Sequence, residues 1–335
     1  MIGTFKANIP YNNFLLLLYA IVLRLPSFLF PEVILPTDED ATLYKYLLTL
    51  LKPAGSSFPF IYPLICLVLL YAQAVWINKI INLQKLFARP NYLTGMGYLL
   101  VTAMFTDWYR LSAPMLVSTI FIWVWSKLIN LHGEKSPKTT IFNIGFFTSV
   151  AAFIYTPGIA FIILIMVGLT IARPFQLTEW LIGLIGLITP YYFFASWLYL
   201  TYRWGTMKNI FFSPHLPKMD EPLWTFVGII AIFFTVVLGI FFIQQNMMRQ
   251  IVKARKSWQL LYLYFAVAVL VPFINTVTGF DFWILAAAPS SVFIAGAFYY
   301  PDKKLFPQII HWCMVGICIA AFVALLNEKG IVFLP

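Results

Sequence analysis

The sequence predicts an all-α fold, a polytopic bundle of about eleven transmembrane helices within a range of roughly nine to twelve. Three observations lead there. Hydrophobic residues make up 61% of the 335-residue chain and charged residues 10%, with a mean hydropathy of +0.86. A water-soluble domain carries about 25% charged residues, so a surface this apolar calls for lipid. The apolar residues come in runs long enough to cross a bilayer, which takes roughly 20 residues. Charges fall in the short loops between runs and sort by sign between alternate loops.

In chain order the runs lie near 13–30, 58–80, 92–106, 111–131, 141–156, 158–172, 180–202, 223–244, 258–277, 282–299 and 309–327. The first opens after Asn12-Asn13, and no small-x-small cleavage site follows it, so it reads as a retained helix and not a signal peptide. Between the fifth and sixth stand only Thr156-Pro157-Gly158. One helix over those 32 residues would be about 48 Å long at 1.5 Å per residue, too long for one crossing, so a hairpin at Pro157-Gly158 is expected. The remaining loops leave no room for a folded soluble domain, and 1–335 reads as a single integral membrane domain.

The first external loop, 31–57, holds an element of its own. Leu43, Tyr46, Leu47, Leu50 and Leu51 recur at helical spacing, which predicts an amphipathic interfacial helix over about 38–52. Thr37 or Asp38 would cap it, and the acids Asp38, Glu39 and Asp40 favour the positive end of its dipole.

Loop charge sets the expected orientation. With a cytoplasmic N-terminus, inner loops collect 14 of the 22 Lys and Arg residues, from Lys6 through the Arg249, Lys253, Arg255 and Lys256 cluster to Lys303 and Lys304. Outer loops collect nine of the twelve acids: Glu32, Asp38, Glu39, Asp40, Asp107, Asp220, Glu221, Asp281 and Glu328. This obeys the positive-inside rule, and merging 141–172 into one span would break it. The expected location is a bacterial cytoplasmic membrane. The net charge of +10 is then a matter of topology, with no nucleic-acid partner implied.

Several classes lose ground. There is no P-loop, no GxGxxG in strand context, no HExxH and no haem-attachment motif. Cys66, Cys313 and Cys318 lie in apolar segments without CxxC spacing, as small hydrophobes would. Asp, Glu and Lys are almost absent from the spans, whereas ion-coupled transporters usually carry such groups near the midplane. No cofactor is predicted, and a divalent metal has no support in the residue pattern.

The residues with chemical potential are external. Asp38, Glu39 and Asp40 read either as a general-base cluster or as helix capping. Arg24, near the outer end of the first run, either binds an anion or snorkels to the interface. Asp107 and Arg110, in a very short connection, either pair with each other or receive a polar, phosphate-bearing substrate. Asp281 suits a helix cap. The loop 203–222 adds Arg203, Lys208 and His215. At the inner side Arg173 and Glu179 are expected to pair across a tight turn.

Two resemblances follow from these residues. The opening run with Arg24-Leu25-Pro26, the external Asp38-Glu39-Asp40, the amphipathic helix and the further spans resemble the GT-C superfamily of membrane glycosyltransferases, mainly over 13–131. That resemblance implies a sugar transferase using a polyprenyl-phosphate-linked donor at the outer face. It implies a catalytic acid among Asp38, Glu39 and Asp40 and a second at Asp107. Arg24, Arg110 and Arg203 would hold the carrier phosphate. The chain lacks the large soluble C-terminal domain of many members and any WWDYG-like motif, departures that fit a divergent enzyme or an inactive relative. Separately, Asn143 through Arg173-Pro174-Phe175, Glu179-Trp180 and Thr189-Pro190-Tyr191-Tyr192-Phe193 resemble an uncharacterised family of multispanning proteins from Bacteroidota. The alternatives to an enzyme are a noncatalytic component of a cell-envelope complex, with protein partners unspecified, and a lipid or solute carrier.

Overall fold

The computed structural model describes residues 1–37, 40–202, 222–274, 279–303 and 305–330, and among them every regular element is a helix. The helices are α1 (Ile2–Lys6), α2 (Asn12–Leu29), α3 (Thr42–Ser57), α4 (Ile61–Leu83), α5 (Leu93–Ala103), α6 (Ala113–Asn130) and α7 (Lys138–Ile154). They continue as α8 (Ile162–Ala172), α9 (Leu177–Leu200), α10 (Leu223–Met247), α11 (Val252–Leu270), α12 (Ala287–Tyr299) and α13 (Leu305–Glu328), with short 3-10 turns between some of them.

Each of the eleven expected apolar runs falls on one of these helices, but their lengths differ. Eight segments, at α2, α4, α6 and α9 to α13, are long and apolar enough to cross a membrane, and the chain is membrane-embedded and all-helical among its described residues. The segments Leu93–Ala103, Lys138–Ile154 and Thr156–Ala172 are shorter. At 11 residues α5 is about 16 Å long, well below the roughly 30 Å of a hydrocarbon core. It is buried along its whole length.

A short helix enclosed by other helices must find partners for the free amides and carbonyls at both its ends. Asparagines serve the start of α5. The side-chain oxygen of Asn91 accepts the Leu93 N–H at 3.0 Å, and that of Asn78 on α4 accepts the Gly95 N–H at 3.3 Å. Asn78 and Asn82 both donate to the Asn91 carbonyl at 2.9 Å, fixing the bend into the helix. Arg24 serves the far end, as described below.

The chain reverses at Thr156–Phe161, a 3-10 turn begun by Thr156-Pro157, as the sequence predicts. Proline lacks the amide that a continuing α-helix would need. The return is visible at Arg173, just past α8, which donates to the carbonyls of Leu131 (3.0 Å) and Glu134 (2.8 Å) immediately ahead of α7. Arg173 also pairs with Glu179 at 3.2 Å, as expected.

Contacts between loops divide the bundle into two ends. At the basic end Lys6 donates to the Tyr299 carbonyl (2.7 Å), Gln250 to that of Leu86 (3.1 Å) and Lys256 to that of Ala172 (3.3 Å). At the acidic end Arg110 meets Glu32, Trp108 donates to the Phe280 carbonyl (3.1 Å) and Tyr44 to that of Leu111 (2.7 Å). Every one of these joins loops that the charge pattern places on a common side. The core between the ends centres on α12, buried from Ala287 through Phe298 and rich in Ala, Ser and Gly that let neighbouring helices approach closely. Cys66 and Cys318 are buried, whereas Cys313 departs from expectation and is exposed on α13.

Candidate functional site

At the acidic end the 3-10 turn Thr106–Tyr109 is the organising element. It is locked from several sides. Trp108 stacks on Phe280 (centroids 5.6 Å apart, planes 10° apart), and Tyr109 donates from its hydroxyl to the Ala103 carbonyl at 3.0 Å. From α2, Arg24 reaches under the turn, donating from Nη1 to the Trp108 carbonyl and from Nη2 to the Thr102 carbonyl, both at 2.7 Å. Its guanidinium lies 5.2 Å from the Tyr109 ring centroid.

With the turn held, Asp107 and Arg110 line a cavity of about 170 Å³ together with Glu32, Tyr62, Tyr109 and Lys329. Arg110 Nε lies 2.8 Å from one oxygen of Glu32, and Lys329 Nζ lies 3.3 Å from the other. Glu32 is thus bridged by two cations, one from the turn and one from the end of α13. The wall carries two carboxylates and two cations, so it can meet both an acidic proton and a phosphate oxygen.

More acids gather around it. Asp281, at the start of the 3-10 turn Asp281–Ala286, lies within electrostatic reach of Asp107, Arg110 and Asp40. Asp40 accepts the Thr37 N–H at 2.7 Å through Oδ2, folding the first loop back on itself. Tyr44, one turn into α3, senses both Asp40 and Asp281. Burial, with those negative charges added, pushes its phenol well above the ordinary range, so it remains a donor to Leu111.

Not every expected site residue stands where the pattern suggests. Asp38, Glu39 and Arg203 lie outside the described residues. Asp107 and Arg110 line the cavity, and Asp40 is close enough to act on Asp281 and Tyr44 without lining it. Arg24 neither snorkels nor faces the cavity: it is 2% exposed, and its Nη1 and Nη2 are turned to backbone carbonyls beneath the turn, leaving the buried Nε without a partner among the described residues. Arg110 reaches Glu32 across the cavity mouth.

The interfacial helix also shifts. It runs from Thr42 to Ser57, capped at Ala41 without a side-chain hydrogen bond, so the acids precede it and neither Thr37 nor Asp38 is its cap. Tyr44 and Leu48 are its buried side, while Leu43, Tyr46 and Leu50 face outward, Tyr46 and Leu50 at 68% and 69% exposure. The expected stripe is therefore split: Leu43, Tyr46 and Leu50 face away from the protein, where lipid would cover them, while Leu47 and Leu51 are half-buried and Leu51 packs on the core.

Sequence reasoning passed over Glu32 and Lys329, whose only signal was their charge in outer loops. It also passed over a buried polar chain in which Tyr98 donates to Gln73 (2.6 Å) and Gln73 to Thr119 (2.6 Å) and the Met115 carbonyl (2.9 Å). Among the described residues no three His, Cys, Asp or Glu side chains gather to hold a metal ion.

Fold and site together define a membrane-embedded helical protein with an acid-rich pocket at one end. The chain belongs to a family of unknown function, DUF6427, which matches residues 43–329. No curated protein matches it.

Proposed function

We propose that the protein is a GT-C-like glycosyltransferase that takes a sugar from a polyprenyl-phosphate carrier at the outer face of the bacterial cytoplasmic membrane. The observation that carries this reading is the meeting of carboxylates from three distant segments, Asp40, Asp107 and Asp281, beside a pocket that also presents Arg110 and Lys329. In the reaction the acceptor hydroxyl oxygen attacks the anomeric carbon and gives its proton to a carboxylate, Asp38, Glu39, Asp40 or Asp107. The bond from that carbon to the phosphate oxygen breaks, and the carrier phosphate leaves with the negative charge. Arg110 and Lys329, with Arg203, hold that charge. Arg24 positions the turn that carries Asp107 and Arg110. The outward stripe of α3 supports the reading, since a lipid-linked donor arrives from the membrane.

The same reading has eleven crossings, with α5 completed by its flanking 3-10 turn, and a cytoplasmic N-terminus. The loop-charge asymmetry and the hairpin at Pro157 support it.

The test is transfer in proteoliposomes supplied with polyprenyl-phosphate sugars. Loss of a general base lowers rate by about 10²–10⁴, so the triple variant Asp38→Asn, Glu39→Gln, Asp40→Asn and the single variant Asp107→Asn should each fall by that order. Full transfer by all of them would end the enzyme reading. Dispensable acids with stoichiometric co-purifying proteins would indicate an envelope scaffold, and uptake without transfer a carrier.

A further inference from the structure

A second cavity lies at the basic end, far along α6 from the acidic pocket and independent of the glycosyltransferase reading. It is about 490 Å³ in volume and is lined by Lys127, Asn130, His132, Glu134, Thr140 and Lys253, with Gly133. That size suits a small polar ligand, whose pockets run about 300–1,000 Å³.

Its cations come from separate elements. Lys127, in the last turn of α6, holds its ammonium 5.6 Å from the Trp123 ring centroid. Lys253 is the second residue of α11, and Lys256 follows one turn later on the same helix. Lys256 Nζ sits 3.1 Å from His132 Nδ1 and 3.3 Å from the Ala172 carbonyl. His132 Nδ1 lies 3.2 Å from the same Ala172 carbonyl, so with its proton on Nε2 the ring accepts from Lys256, and with it on Nδ1 it donates to Ala172. Either way the ring stands in the cavity wall with a positive charge beside it.

The polar neighbours are already engaged. Asn130 donates to the Ser126 carbonyl at 2.9 Å and accepts from Gln84 at 2.8 Å. Glu134, the one carboxylate of the lining, accepts from the Thr140 hydroxyl at 2.6 Å. It shares the lining with two ammonium groups, Lys127 and Lys253, and cannot balance both alone. Folding has brought like charges from α6 and α11 into one cavity wall, and a bound anion relieves their repulsion. Ammonium groups suit phosphate oxygens, which accept several charge-assisted bonds at once.

We infer that this cavity binds a phosphate group, held by Lys127, Lys253 and the Lys256-backed His132 ring. The phosphate is either the headgroup of an anionic phospholipid or free in solution, and the two sources separate experimentally. The full chain, delipidated in neutral detergent, is titrated with dioleoylphosphatidic acid against dioleoylphosphatidylcholine by native mass spectrometry. In a second arm inorganic phosphate is titrated and followed by tryptophan fluorescence, with Trp123 beside Lys127 as reporter.

The variant Lys127→Gln, Lys253→Gln, Lys256→Gln should bind at least tenfold more weakly, a loss of about 1.4 kcal/mol or more. The equal-charge control Lys79→Gln, Arg249→Gln, Lys303→Gln should bind as the wild type does. Dependence of phosphatidic acid alone on the triple assigns a lipid headgroup, and the same dependence for inorganic phosphate assigns the free ion. Equal losses in pocket and control variants, or equal binding of the neutral lipid, would overturn the site. Should the triple variant fail to fold, His132→Gln and Lys253→Gln carry the test singly, because both side chains are on the surface. Unchanged binding in both would overturn it equally.

Discussion

Arg24 shows how a single residue inside a bundle can be decided by backbone. A guanidinium buried to 2% exposure is costly unless its donors are used. Here two donors meet the carbonyls of Thr102 and Trp108. Thr102 lies in the last turn of α5, where carbonyls lack intrahelical partners and the dipole is negative. The Tyr109 ring adds a cation–π contact. Arg24→Leu would leave both carbonyls buried without that donor, so a loss of about 2–5 kcal/mol is expected from two such groups. It should appear as a lower melting temperature in detergent. Unchanged melting would show that the carbonyls find other partners and that Arg24 does not hold the turn. Position in a span marked Arg24 as unusual from the sequence. Its partners were not legible there, because any residue can supply a carbonyl and only packing says which ones end at that depth.

Among elements, α7 and α9 pack backbone against backbone. A side chain at Gly186 would run into the Phe142 carbonyl, and one at Gly145 into the Gly183 carbonyl, so each helix presents its backbone to the other. Close backbone approach through small residues is how membrane helices associate without a hydrophobic drive between them. Gly186→Leu should separate the pair and cost about 1–3 kcal/mol or more, the range for overpacking. Gly186→Ala should be milder, and the order can be read from thermal melts of the two variants. A leucine variant as stable as the wild type would show that the contact is dispensable. Helix α3 teaches a different lesson at this scale. Its period of apolar residues revealed a helix, but period alone does not say whether a stripe faces protein or lipid. Tyr44 and Leu48, off the expected stripe, are the side that packs, because Tyr44 finds the Leu111 carbonyl.

For the whole molecule the decisive quantity is sidedness. The hairpin at Pro157 requires residues on either side of 141–172 to share one face of the membrane. In a protein whose native cysteines are replaced by alanine, Ser136→Cys and Gln176→Cys should react with an impermeant maleimide from one side. Ser57→Cys should react from the other. Opposite-side labelling of Ser136→Cys and Gln176→Cys would mean a single crossing and would invert every later loop. This arrangement was open to the sequence because two signals agreed, proline chemistry at the turn and the distribution of Lys and Arg among loops. The pocket at the acidic end was open only in part. Asp107 and Arg110 stood out as charges in a short loop, whereas Glu32 and Lys329 met only through tertiary packing, which also brought Asp281 within electrostatic reach of Asp107 and Arg110.

The sequence by itself determined that this chain is helical and membrane-embedded, where its apolar helices lie and which of the described loops meet at one end of the bundle. Those properties follow from local hydrophobicity and charge, which act along the chain. Tertiary structure alone decided that Arg24 supports a turn, that Glu32 is bridged by Arg110 and Lys329, and that Lys127, His132 and Lys253 surround one cavity. Such neighbours are far apart in the chain, and in lipid their meeting depends on close helix packing and on satisfying every buried polar group.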